Sequence, residues 1–274
     1  MNWVRKILGS LEARYYKPGF SLFRTLYLNF RTLPFSQAVR LPIFVYGKLH
    51  LYVLNGLIEF RHTPIKRGMV KIGTLDPFTL PDGSGFISLG SKCSRIVFQG
   101  PCHIDINSKI RVFGEGEVVF GKFTRIRSGV KLICNGGRIV IGAYTGVSFE
   151  STIINSSFHT LYNVRTGKCK SHIQNISIGE RCWIANRSII APGSRLKQCT
   201  IVSSGSYVNK DFTTLDAEYQ MLGGRPAKLL KSDIARIFSP ILEMNVTEYY
   251  MEHPDVAEYI ISEFDDISDL EKEF

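Results

Sequence analysis

The sequence predicts a parallel β-solenoid. Three observations lead there: a six-residue rhythm of aliphatic residues, small residues at a constant distance from them, and glycines where the chain must turn. Ile178, Ile184, Ile190, Leu196, Val202 and Val208 stand at an unbroken spacing of six, and four residues after each of the first five come Cys182, Ser188, Ser194, Thr200 and Ser206. The same rhythm runs through Phe120, Ile126 and Leu132, with Thr124 and Val130 at the small position. It returns in Ile141, Val147 and Ile153, with Thr145 and Ser151. A helix of 3.6 residues per turn would scatter these residues around its circumference. Alternation along a strand puts residues two apart on one face, and the added period of six implies a corner every six residues. Three such faces close a triangular coil of about 18 residues, with the bulky side chains stacked along its axis. Ile178 then lies beneath Leu196, and Ile184 beneath Val202. Gly73, Gly90, Gly121, Gly142 and Gly179 each follow an aliphatic or aromatic residue directly and suit corners where a Cβ would collide.

Length and composition agree with one large folded domain carrying appendages. The chain has 274 residues, 44% hydrophobic and 21% charged, ample for a buried core and unlike collagen or low-complexity sequence. The net charge of +10 hides an asymmetry. Residues 232–274 carry 12 acidic and 2 basic side chains, and the preceding 231 residues a net charge of +20. A basic body favours anionic partners without choosing among them. No nucleic-acid recognition motif appears, so nucleic acid is not expected as a partner. Six cysteines form no C-x-x-C pair and nothing at the start reads as a secretion signal, which suggests reduced thiols and a cytoplasmic location. Leu41 to Ile58, the most apolar segment, is broken by Pro42, Gly47, Lys48, His50 and Asn55 and cannot span a bilayer.

Residues 1–67 lack the rhythm and read as a cap. Leu11 to Val39 has a pattern compatible with short amphipathic helices, and Lys48 to Phe60, with Asn55-Gly56 between apolar runs, reads as extended chain with a tight turn. Residues 1–40 carry Arg5, Lys6, Arg14, Lys17, Arg24, Arg31 and Arg40 against Glu12, beside Trp3, Tyr15, Tyr16, Phe20 and Phe23. Such a segment suits either contact with an anionic membrane surface or a packed cap with a solvated basic face. Residues 68–231 form the solenoid. Within it the rhythm stops between Ile153 and Ile178, and residues 154–177 read as a long irregular loop thrown out from a rigid scaffold, the usual place for function. Residues 232–274 read as an acidic helical tail: Ile234, Ile237 and Phe238, then Val256, Tyr259, Ile260 and Phe264, lie on an acidic background. The plain expectation is a capping helix or a tail lying on the basic body.

The stretch Ile178-Gly-Glu-Arg-Cys-Trp-Ile-Ala-Asn-Arg-Ser and the closing Leu222-Gly-Gly-Arg-Pro-Ala-Lys resemble the hexapeptide-repeat acyltransferases. The resemblance is dense from about Gly68 to Lys231. It implies a left-handed parallel β-helix, a handedness that period alone does not supply, since parallel crossovers are usually right-handed. Over the whole chain, including Thr32-Leu-Pro-Phe and Arg40-Leu-Pro-Ile, the likeness is nearest to bacterial enzymes that O-acetylate capsular or O-antigen sugars. What it implies is transfer of an acyl group from acetyl-coenzyme A to a sugar or lipid-linked oligosaccharide, in a homotrimer with the site between neighbouring columns.

Ser-Phe-His159-Thr resembles that family's catalytic-histidine stretch. A loop histidine is more often a solvated surface residue, but His159 opens the one large interruption of a repeat scaffold. Neutral imidazole, titrating near pH 6.5, suits removal of a proton from a hydroxyl attacking a thioester. No G-x-S-x-G nucleophile elbow occurs, consistent with direct transfer. Glu150, the nearest upstream acid, is the candidate to orient the imidazole or else a structural corner residue. Related sequences often have aspartate near Asn155. Trp183 should point outward, serving either a subunit contact or a coenzyme platform. Ala185, Asn186, Ser203 and Ser204 fall at corners of successive coils, where backbone groups suit a pantetheine arm. Lys210, Arg225 and Lys228 suit its phosphates. Other readings are N-acetylation of a nucleotide-linked amino sugar, a noncatalytic β-helix binding module, and a zinc hydratase using His103, His159 and His172. The last lacks the histidine spacing such sites use, so no metal is expected.

Overall fold

The computed structural model describes residues 18–75, 83–262 and 265–274. Trp3, Arg5, Lys6, Glu12, Arg14, Tyr15, Tyr16, Lys17 and Phe264, named above, lie outside the described residues.

The described strands fall into three sheets of nine, seven and six strands, parallel except for the last pair of the nine-stranded sheet, and up to Val208 their members follow one another in rotation along the chain. This rotation is the three-sided parallel β-helix expected from the hexad. Register follows the rhythm: Ile178 pairs with Leu196, Ile184 with Val202 and Ile190 with Val208. All six residues are buried, at 3% exposure or less, and each contributes about 1.5–3 kcal/mol of burial. The small positions are buried as well. The Thr124, Ser194, Thr200 and Ser206 hydroxyls donate to the carbonyl three residues back at 2.6–2.8 Å, so polar side chains satisfy the backbone where the strands end. The corner glycines relieve close stacking: a Cβ on Gly142 would sit 2.5 Å from the Glu180 nitrogen, and one on Gly179 2.4 Å from the Gln198 nitrogen.

The first coil starts earlier than the rhythm does. Strands Ile43–Val45, Leu49–Leu54 and Leu57–Phe60 already stack on Val70–Thr74, Gly85–Leu89 and Arg95–Phe98. Asn55-Gly56 is the tight turn expected there, and it forms a prism corner between two sheets. A Cβ on Gly56 would lie 2.2 Å from the Ser94 oxygen. The longer loops of these coils break the count of six while leaving the pairing intact.

Helix Leu22–Thr32 caps the first strand, and it is inverted. Its buried residues are Thr25, Leu28, Asn29 and Thr32, three of them polar. Asn29 donates to the Ile43 carbonyl (2.7 Å) and accepts from the Ile43 nitrogen (3.2 Å), and Thr25 accepts from the Val45 nitrogen (3.0 Å). Side chains thus satisfy the exposed edge of a sheet, and Leu22, Phe23, Leu26, Tyr27 and Phe30 face outward.

At the other end, Met221–Gly224 and Ala227–Lys231 form an antiparallel hairpin that closes the nine-stranded sheet. The helical pattern expected after Lys231 is displaced: the helices are Pro240–Glu252 and Ile267–Glu271. Ser239 caps the first of these, accepting from the Leu242 nitrogen, with proline at its N-terminus. Pro254 follows its end, and Val256, Tyr259 and Ile260 lie in irregular chain. Among the described residues no helix is long and apolar enough to cross a membrane.

Candidate functional site

The interruption of the rhythm is an ordered arm. Its base is locked by Asn155, which is fully buried. The Asn155 amide accepts from the Asn135 nitrogen (2.8 Å) and donates to the Gly136 carbonyl (2.7 Å), while its backbone carbonyl accepts from the Gln174 nitrogen (2.9 Å). Beyond it the two limbs pair antiparallel at Ser156 with Ile173 and at Tyr162 with Cys169. The tip is an Asx turn in which Asn163 Oδ1 accepts from the Arg165 and Thr166 nitrogens. Both faces of this ribbon meet solvent, so its sequence lacks the alternation that marks a strand, and it read as irregular.

His159 sits on the outgoing limb and is exposed. Its backbone carbonyl accepts from the Ser157 hydroxyl at 2.9 Å, which fixes the backbone and leaves the ring facing an open cleft. That cleft is shared with Tyr162, Lys170, His172, Gln174 and Pro192. His172, on the returning limb, lies 3.1 Å through Nδ1 from the Thr160 hydroxyl. The antiparallel return of the ribbon brings it beside His159, and no local sequence signal marks that return. Residues 155–175 contain Arg165, Lys168 and Lys170 and no carboxylate.

Glu150 stands one strand away from the arm. Its carboxylate pairs with Arg187 at 2.6 Å, with both side chains largely exposed. Glu150 and Arg187 both adopt left-handed backbone, at φ 60° and 56°, because they occupy equivalent places on successive coils. Four of the coenzyme candidates, Ala185, Asn186, Ser203 and Ser204, gather at that same corner, between the nine- and seven-stranded sheets, whereas Lys210 follows Val208 at the next corner, between the seven- and six-stranded sheets. The Ala185 nitrogen donates to the Val202 carbonyl, the Ser203 nitrogen to the Leu222 carbonyl and the Gly205 nitrogen to the Asn186 carbonyl, so Ala185, Asn186, Ser203 and Ser204 climb the prism edge as one ladder. The Ser203 hydroxyl is buried without a hydrogen-bond partner. Arg225 lies at the exposed turn of the closing hairpin and Lys228 on its return strand, while the Lys210 ammonium lies 5.0 Å from the Phe212 ring. The arm emerges at the next corner, between the seven- and six-stranded sheets. Within one chain, then, His159 and the ladder stand at different prism corners.

Trp183 points outward from the nine-stranded sheet, as its spacing predicts. Its indole donates to the Ser148 hydroxyl (3.0 Å), and the Arg236 guanidinium lies 5.8 Å from its ring. Burial lowers the pKa of Arg236 from its ordinary value. His103, named above with His159 and His172, is buried on this same sheet, away from the arm. Among the described residues no three or more His, Cys, Asp or Glu side chains are grouped to hold a metal ion.

No protein-family model matches the chain. Solved structures similar to it include the polySia-specific acetyltransferase NeuO, 15% identical, covering 78% of this chain and 95% of that one, with a TM-score of 0.46. A variant of AntD, an N-acyltransferase from Bacillus cereus, bound to dTDP-4-amino-4,6-dideoxyglucose and coenzyme A, is 13% identical, covering 77% and 88%, with a TM-score of 0.42. The polysialic acid O-acetyltransferase OatWY is 15% identical, covering 69% and 87%, with a TM-score of 0.30.

Proposed function

We propose that this chain is an acyl-coenzyme A-dependent acyltransferase that transfers acetyl to a sugar hydroxyl during surface-polysaccharide synthesis, with His159 as general base. The observation that carries this reading is His159 itself: an exposed imidazole on an ordered arm, the longest departure from the prism among the described residues. The prism supplies rigidity and the arm supplies a base. The hexad segment around Trp183 and the closing Arg225-Pro-Ala-Lys228 support the donor assignment.

The acceptor hydroxyl is a weak nucleophile at neutral pH. Neutral His159 takes its proton as the oxygen attacks the thioester carbonyl, and the tetrahedral adduct then expels the coenzyme thiolate, which recovers the proton. One C–O bond forms, one C–S bond breaks, and no acyl-enzyme is needed. The Ala185–Asn186 and Ser203–Ser204 ladder holds the pantetheine arm through its backbone groups, and Arg225 and Lys228, with Lys210 reaching in from the arm's corner of the neighbouring subunit, meet the phosphates. Glu150, already paired to Arg187, serves that corner. His159 and the ladder occupy different corners, so the reading requires a homotrimer in which the arm of one subunit faces the ladder of the next. The outward apolar face of helix Leu22–Thr32 supports peripheral attachment to the inner face of an anionic membrane, where a lipid-linked acceptor resides.

The test is release of coenzyme thiol from acetyl-coenzyme A with sugar acceptors. His159→Ala should lower turnover by about 10²- to 10⁴-fold with coenzyme affinity retained. Near-normal turnover removes the assignment. Thiol release with nucleotide-linked amino sugars, and none with hydroxyl acceptors, selects N-acetylation instead.

A further inference from the structure

The nine-stranded face carries a second cluster, away from the arm. Lys71, Arg125, Arg127 and Arg236 surround an aromatic floor of His103, Phe123 and Tyr144. The end of the chain lies over it. Asp265 anchors this strap by accepting from the Phe238 and Ser239 nitrogens, at 2.9 and 2.6 Å, and Asp269 accepts from the Ser239 hydroxyl (2.7 Å). At the end of helix Ile267–Glu271 the Glu271 carboxylate accepts from the Tyr144 hydroxyl, and beyond it Glu273 pairs with Arg125 at 2.8 Å. The Phe274 ring lies 4.3 Å from the His103 ring, edge-on to Phe123 at 5.4 Å, and 5.0 Å from the Arg125 guanidinium. Lys71 donates to the Phe274 carbonyl at 2.9 Å.

Charge neutralisation alone explains acids over a basic face. It does not explain a slot for a planar ring, nor the state of His103. That side chain is nine-tenths buried, and its Nε2 has no hydrogen-bond partner. Leaving a buried polar nitrogen unpaired is costly, and a phenyl ring offers it nothing. Burial and the charges of Lys71, Arg125 and Arg127 bring its pKa down to about 3, so the ring is neutral at physiological pH and its nitrogens can serve as one donor and one acceptor. A heterocyclic base would fill the same slot and bring polar edge atoms that a phenyl ring lacks.

We propose that this face is a nucleotide-binding site, with the base between His103 and Arg125 and the phosphates among Lys71, Arg125 and Lys122, whose ammonium lies 5.2 Å from the Tyr144 ring, and that Glu271, Glu273 and Phe274 occupy it as a tethered stand-in. Two carboxylates flanking an aromatic ring reproduce the ring-plus-anion pattern of a nucleotide. The strap sets the apparent affinity, because a ligand binds only the fraction of molecules whose strap is open. Nothing in this inference depends on acyl transfer, since binding is read directly.

Equilibrium dialysis on the full chain tests it with four probes: ADP, UDP, adenosine and ribose 5-phosphate. Opening the strap with Glu271→Gln, Glu273→Gln and Phe274→Ala together should tighten binding of ADP or UDP by about 10-fold or more. Adding Arg125→Gln should abolish the gain, and adenosine and ribose 5-phosphate should gain little. Preference for ADP points to the adenine half of a coenzyme, and preference for UDP to a nucleotide-linked sugar. The unaltered protein gives a second reading: millimolar ADP or UDP should speed hydrogen exchange across residues 265–274. The proposal is overturned by no gain in affinity, by an equal gain for ribose 5-phosphate, by a gain that survives Arg125→Gln, or by unchanged exchange in the strap.

Discussion

At the scale of single residues, the arm depends on Asn155 as much as on His159. An asparagine can accept and donate at once, and here it accepts from the Asn135 nitrogen while donating to the Gly136 carbonyl, so it ties the arm's base to the coil below. Asn155→Ala strips both partners inside a buried site and should cost about 2–4 kcal/mol, read from urea unfolding, and should open residues 156–173 to protease. An unchanged midpoint with an intact arm would show that the lock is dispensable. Asn155 stands out in the sequence only as the place where related sequences often have aspartate, and its role is not legible there, because the groups it satisfies lie about twenty residues earlier in the chain. The same holds for His172, which only the return of the ribbon brings to the cleft.

Among the elements, helix Leu22–Thr32 departs furthest from what its sequence suggests. An amphipathic pattern normally means apolar side inward. Here Thr25 and Asn29 turn inward because the strand Ile43–Val45 presents bare edge groups that only polar side chains can satisfy. That need accounts for the inward face and places no demand on the outward one, where Phe23 is 79% exposed and Phe35, just beyond the helix, 75%. Residues 18–58 carry Arg24, Arg31, Arg40 and Lys48 and no acid, which matches an anionic lipid surface. The full chain should sediment with vesicles containing phosphatidylserine, in a salt-sensitive way, and Phe23→Glu with Phe30→Glu should release it without loss of stability, since neither ring supports the core. Protein that stays in the supernatant ends the membrane reading. A dimer that the same pair of substitutions dissociates would assign the face to a second copy.

For the molecule as a whole, the separation of arm and ladder sets the strongest expectation. Co-expression of His159→Ala with a variant at the exposed ladder residue Ser204, Ser204→Trp, should recover activity that neither has alone, because in the proposed homotrimer a mixed assembly contains interfaces where an intact arm meets an intact ladder. No recovery from well-folded mixed oligomers would place the whole site within one chain. The β-helix was legible because a coil repeats its environment every six residues, and Ile178, Ile184 and Ile190 announce those environments locally. Such periodicity determined the fold class, the corners and the position of the interruption. Only the tertiary structure decided that the first coil begins at Ile43, that the helix before it turns its polar side in, and that the acidic end of the chain covers His103 and Arg125. Each of these rests on contacts between residues distant in sequence, and no local pattern records a partner that folding alone brings near.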